Sequence, residues 1–138
     1  MATYNFETIT AAQAEAVTGA DSILFATGPA SLATVSYIPA TATVTDMIQI
    51  SLGATTVQFP AASGVSAVSA AGNLIFQDGS TLFVGAYSVT NESFTGASGS
   101  DGAFGGQGND TYIVGNYFSA IGFTRTGFPD HDNIDRKS

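Results

Sequence analysis

The amino-acid sequence predicts a mainly β fold: an N-terminal β domain with one short helix, running into a short coil of parallel strands. Three observations predict it. After residue 21 the apolar residues fall in short runs rich in Val, Ile, Phe and Thr, separated by turn-forming residues. Only one segment, near the start, carries the end signals of a helix. From Gly96 onward, Gly and Asp recur with a nine-residue period. With 138 residues and 14.0 kDa the chain is one domain's worth, which excludes a multidomain enzyme.

The helix is expected over residues 11–18. Thr10 caps the run AAQAEAV, Gln13 three residues on completes a capping box, and Gly19 is placed to end it. Strands are expected at 22–27 (SILFAT), 33–38 (ATVSYI), 43–52 (TVTDMIQISL), 56–59 (TVQF), 73–77 (NLIFQ) and 81–86 (TLFVGA). In the third, Ile48, Ile50 and Leu52 alternate with Gln49 and Ser51, as in a strand buried on one face. Gly53 and Ala54 then reverse the chain, and Asp78-Gly79 marks a second reversal. The small-residue stretch AASGVSAVSAAG at 61–72 reads as a loop or thin strand, most simply a surface connection.

Lys and Arg total 3 against 11 Asp and Glu, a net charge of −8, and no cationic side chain precedes Arg125. Nucleic acids and anionic membrane surfaces are held by Lys and Arg, so neither is expected as a partner. A surplus of carboxylates favours hard divalent cations, with calcium the natural candidate. Cys is absent, which removes disulfides and thiolate metal sites. The start, MATYNFETIT, lacks the features of a cleaved secretory signal, and no stretch approaches eighteen apolar residues, so no membrane insertion is expected. Export, if it occurs, takes a route without such a signal.

The Gly-rich segment has a register. GASGSDGAF (96–104) and GGQGNDTYI (105–113) are consecutive nine-residue units with Gly first and fourth, an acid sixth and a nonpolar residue ninth. The second fits GGxGxDxUx at every fixed place; the first has Ala97 for the second Gly and Ala103 at the eighth, and YSVTNESFT (87–95) keeps Glu92 and Phe94. Bare glycines let carbonyls approach an ion while the acid supplies charge. If each unit is one turn and one strand, two units make a full coil, and an ion lies between loops eighteen residues apart. Glu92 then faces Asp110, and Asp101 faces Ser119, a poorer partner. The expected metal residues are Glu92, Gly96, Gly99, Asp101, Gly105, Gly106, Gly108 and Asp110, around one calcium ion, or two if the chain departs from ideal geometry. Turn-building alone is the plainer reading of Gly and Asp here, but it does not demand a nine-residue repeat.

The segment GSDGAFGGQGNDTYIVGN resembles the end of an RTX (repeats-in-toxin) calcium-binding block, and FQDGSTLFVGA resembles the strand that leads into such blocks. The specific likeness covers about residues 87–113. It implies a parallel β-roll around calcium, export through type I machinery, and folding outside the cell. The matching positions are Gly105, Gly106, Gly108 and Asp110, then Gly96, Gly99 and Asp101. The sequence departs from the family in having two clear units, so the RTX-like roll (87–122) is expected to lean on the preceding β domain (1–86). The tail (123–138) lacks the apolar, hydroxyl-rich ending of a type I signal.

Catalytic chemistry is hard to assemble. His131 is the only His and lies near the end in PDHDNID, which also lacks the Gly and distant Glu of an EF-hand. Asp21, Asp46 and Asp78 sit at strand edges, where Asp usually begins turns, rather than as a converging pair. No enzyme is expected. The sequence favours a secreted calcium-binding structural protein that self-assembles through strand edges into a filament or surface layer, extracellular or on the cell surface. The alternative is an exported effector, such as a small toxin or bacteriocin or the non-catalytic part of a secreted hydrolase.

Overall fold

The computed structural model describes residues 1–62, 64–85, 91–95, 101–105, 111–114, 120–122 and 133–136. The fold is mainly β, with small sheets and two short helices. In chain order the elements are β1 (Thr3–Asn5), α1 (Ala11–Ala16), β2 (Ser22–Phe25), a 3-10 turn (Ala30–Leu32), β3 (Thr34–Ile38), β4 (Met47–Leu52), β5 (Thr55–Pro60), α2 (Val65–Ala70), β6 (Leu74–Phe76) and β7 (Leu82–Val84). There follow β8 (Ser93–Thr95), β9 (Gly102–Phe104), β10 (Thr111–Val114), β11 (Ala120–Gly122) and β12 (Asn133–Arg136). Among the described residues twelve strands form four three-stranded sheets: β1-β2-β6, β3-β4-β5, β7-β9-β11 and β8-β10-β12 in spatial neighbourhood, β9 and β10 being central in the last two.

The first sheet is parallel, with Tyr4 beside Ile23 and Ile23 beside Leu74. One aromatic ring comes from the end of each strand: Phe6 stacks on Phe25 at 4.5 Å between centroids, and Phe25 on Phe76 at 4.3 Å. All three are buried. Parallel strands place like positions side by side, so three Phe at matching heights make a continuous stack in the core. The second sheet is an antiparallel meander in which Ile48, Ile50 and Leu52 are buried, as their alternation predicts. Gly53, at φ 62, makes the tight reversal into β5.

Helix α1 starts as expected. The Gln13 N–H donates to Thr10 Oγ1 (3.2 Å) and the Thr10 N–H to Gln13 Oε1 (2.9 Å). It ends earlier than expected, with Val17 already extended. The Thr18 N–H turns instead to the buried Asp21 carboxylate (2.9 Å). Gly19 is therefore not the helix terminator. A methyl group there would lie 2.9 Å from Ala67 Cβ, so its bareness serves close packing against α2.

The second helix corrects the reading of 61–72 as a loop or thin strand. Val65, Val68 and Ser69 are buried at helical spacing. The end is closed by a left-handed Gly72 (φ 77), with the Gly72 N–H on the Ser69 carbonyl and the Asn73 N–H on the Val68 carbonyl. The buried Ser69 hydroxyl accepts the Val84 N–H (2.7 Å) and donates to the Leu82 carbonyl (3.1 Å), filling the edge of β7 that β9 does not pair. Each such group left unmet in the interior would cost about 1–3 kcal/mol.

Two carboxylates fasten the N-terminal part. Asp21 Oδ1 accepts the Ala2 N–H (2.7 Å), fixing the chain start beside β2. Glu7 Oε1 accepts the N–H groups of Ala26 (2.9 Å) and Thr27 (3.1 Å) and the Thr27 hydroxyl (2.8 Å). Burial opposes ionisation of Glu7 but is outweighed by these bonds, which hold its pKa below the ordinary 4.5. The Thr18 N–H, then that of Ala2, holds Asp21 below 3.8. The native state thus binds fewer protons than the unfolded chain in acid, so this stabilisation is complete above about pH 5 and is lost as pH falls through the native values. Denaturant midpoints measured from pH 7 to 2.5 should be flat and then drop below about pH 5. Asp21→Asn should start lower and drop less steeply; parallel curves for the two proteins would refute the assignment.

Candidate metal centre

From β7 onward the four strand pairings, β7 with β9, β9 with β11, β8 with β10 and β10 with β12, are all parallel, and successive strands alternate between the two sheets. Ser93 pairs with Thr111 and Gly102 with Ala120, each 18 residues apart. Leu82 pairs with Gly102, 20 apart, and Thr111 with Asn133, 22 apart. The eighteen-residue spacing reasoned from two nonapeptides is therefore the register at the centre of this region and widens at either side. Residues 133–136, assigned from sequence to a tail, form β12.

Of the eight expected metal residues, Glu92, Asp101 and Gly105 are among those described; Gly96, Gly99, Gly106, Gly108 and Asp110 lie outside the described residues, as does Ser119. Glu92 precedes β8 and is half-buried, and its carbonyl accepts the Thr111 N–H (2.8 Å). Its side chain reaches Gly85, directly after β7. A methyl group on Gly85 would sit 2.3 Å from the Gly105 carbonyl oxygen and 2.6 Å from Glu92 Oε2. A carboxylate oxygen and a backbone carbonyl oxygen thus converge on one bare glycine, which no other residue could replace without displacing backbone.

Asp101 is placed differently. It is 2% exposed, and its Oδ1 accepts the Thr81 N–H (2.8 Å), while the Gly102 N–H donates to the Thr81 carbonyl (3.0 Å). These bonds tie the entrance of β9 to the entrance of β7. A methyl group on Gly102 would meet the Ala30 carbonyl oxygen at 2.7 Å, so the seventh place of this unit is glycine because the 3-10 turn packs on it. Asp101 therefore has a structural duty whether or not it also faces an ion. Glu92 and Asp101 do not share a cluster: among the described residues no three His, Asp or Glu side chains gather at one point.

Sequence reasoning missed two participants, Gly85 and Tyr37. A glycine inside the strand-like run TLFVGA was a legible sign of close backbone approach. Nothing in the sequence marked Tyr37, whose buried hydroxyl reaches the carbonyl oxygens of Gly85 (2.8 Å) and Phe104 (3.0 Å) from the meander.

A cleft of about 490 Å³ lies elsewhere, lined by Asn5, Glu7, Leu24, Ala26, Ile75 and neighbours. Its titratable side chain, Glu7, is the one fastened by Ala26 and Thr27. His131, Asp130 and Asp132 lie outside the described residues. No helix among the described residues is long and apolar enough to cross a membrane. Comparisons of the chain with family models, with curated proteins and with solved structures find no match.

The position of Asp101 separates two roles. Asp101→Ala should lower stability by about 1–3 kcal/mol in chelator as well as in calcium, because the Thr81 N–H loses its acceptor under both conditions. Denaturant melts in the two buffers measure this; a loss confined to calcium would mean that the carboxylate acts on the ion alone.

Proposed function

We propose that the chain is a secreted calcium-binding structural protein whose last third is a short RTX-like parallel β-roll, built to become rigid where calcium is abundant. The observation that carries this reading is the eighteen-residue parallel register, Ser93 with Thr111 and Gly102 with Ala120, alternating between two sheets. Two nine-residue units per coil require that register; isolated Gly-Asp turns do not. Supporting it are the carboxylate and carbonyl oxygens that meet at Gly85, and a charge of −8 that a divalent ion would relieve. The metal residues of this reading are Glu92, Gly96, Gly99, Asp101, Gly105, Gly106, Gly108 and Asp110. The protein acts by binding and assembling, outside the cell or on its surface, and is not an enzyme.

Self-association into a filament or surface layer is the part of the proposal that concerns strand edges. Ser69 closes the outer edge of β7, so strand addition runs through other edges, with β12 the outermost strand of its sheet among the described residues.

Calcium titration tests the reading. With a dissociation constant on the order of 0.1–1 mM, as for weak extracellular sites, about 10 mM calcium should stabilise the fold by about 1–3 kcal/mol, seen as a melting temperature several degrees higher. Asp110→Ala should lose most of that rise. Sedimentation at high protein concentration should give larger species in calcium than in chelator. Identical melts in both buffers would sink the calcium assignment, and a 14.0 kDa monomer throughout would sink the assembly.

A further inference from the structure

Tyr37 stands in the middle of β3, beside Ile48 of β4, with its ring buried in the core. Its hydroxyl leaves the meander and reaches the seam between β7 and β9. There it lies 2.8 Å from the Gly85 carbonyl oxygen and 3.0 Å from that of Phe104, so its one proton is shared between them. The Phe104 oxygen also accepts the Gly85 N–H at 2.8 Å. A carbonyl oxygen with donors on both lone pairs cannot swing, and the peptide plane joining Phe104 to Gly105 is fixed with it. The next carbonyl along, that of Gly105, and Glu92 Oε2 both lie against the bare Cα of Gly85.

We infer that Tyr37 is a positioning residue for the proposed calcium site: from the meander it sets the direction in which the Gly105 carbonyl leaves β9. This rests on the calcium reading above and adds to it a coupling between the ion and the N-terminal sheets. A carbonyl oxygen already held in place loses less freedom on binding an ion, so the hydroxyl raises calcium affinity as well as native stability. It also gives the departure of the first pair from the eighteen-residue spacing a use. Leu82 and Gly102 are 20 residues apart, and the glycine after that pair of strands is the one that the tyrosine and the glutamate both approach.

The test compares Tyr37→Phe with the unaltered protein in calcium titrations followed by melting temperature, and in chelator. The variant keeps the ring and loses only the hydroxyl. A stability loss in chelator is expected from any buried bond; the diagnostic result is a calcium midpoint raised about three- to ten-fold, the range that one such bond supports. An unchanged midpoint with a lowered chelator melt means the hydroxyl only holds the core, and overturns the inference while leaving the calcium reading intact. An unaltered protein that ignores calcium overturns both. Hydrogen exchange on the unaltered protein is a second measurement that needs no variant. Calcium should slow exchange several-fold in peptides covering residues 34–38 as well as in those covering 82–85. Slowing confined to residues after 90 overturns the coupling.

Discussion

A chain with three Lys and Arg against eleven Asp and Glu, and no cationic side chain before Arg125, can neutralise few of its carboxylates with ion pairs, and this constraint shapes the molecule. The substitute is the backbone. Asp21 takes the N–H groups of Ala2 and Thr18, Glu7 those of Ala26 and Thr27, Asp46 that of Ala40, Asp78 that of Ser80 and Asp101 that of Thr81. For Asp21 and Glu7 these bonds stabilise the charged form of the carboxylate. Each such bond also pins a loop. Asp21 joins the chain start to the turn after α1, and Asp101 joins the starts of β7 and β9. The acids that would otherwise repel one another have become the joints between elements.

Two of these joints, those of Asp78 and Asp101, lie at the entrance of β7. One of its edges carries β9, and on the other Ser69 meets the Leu82 carbonyl and the Val84 N–H. Around it, Ala30 presses its carbonyl on Gly102 while the Ala30 N–H donates to Ser80 Oγ (2.9 Å), and Ser80 in turn bonds Asp78. The 3-10 turn, α2 and the Asp78 turn thus hold the first strand of the parallel series from three directions. Helix α2 can come so close because Gly19 and Gly64 leave no side chain between it and the segment after α1.

Much of this was legible in the sequence, and what was not has identifiable causes. Alternation in β4 and the Thr10–Gln13 capping box are local, and both appear as written. Helix α2 was hidden because its buried stripe is two valines and a serine among alanines, too weak a contrast for a loop-like composition. Gly19 was misread because a glycine after a helix signals termination more often than tight packing. Strand β1 is three residues long and depends on β2 for its pairing. In the candidate site, the period in Gly and Asp predicted the eighteen-residue register, since it is a property of consecutive residues. Tyr37 could not be found that way: it lies 48 residues from Gly85 and 67 from Phe104, and only the packing of the meander brings it there.

On the proposed reading a parallel series with only two clear units is stable because the N-terminal sheets cap its first end. A repeat unit buries one face against each neighbour, so a short array fails at its ends, where a face and a strand edge are left to water. Here the first end is not left so. Ser69 supplies the missing hydrogen bonds, and Leu82, Val84 and Phe104 are buried in the same core as Phe59 and Ile48. The N-terminal sheets therefore stand in for the repeats that the series lacks. The cap is also asymmetric, because its donors and its apolar surface all lie on the β7 side. On the calcium proposal an ion would stabilise the later strands from within, and the acid-rich, base-poor sequence is suited to hold one.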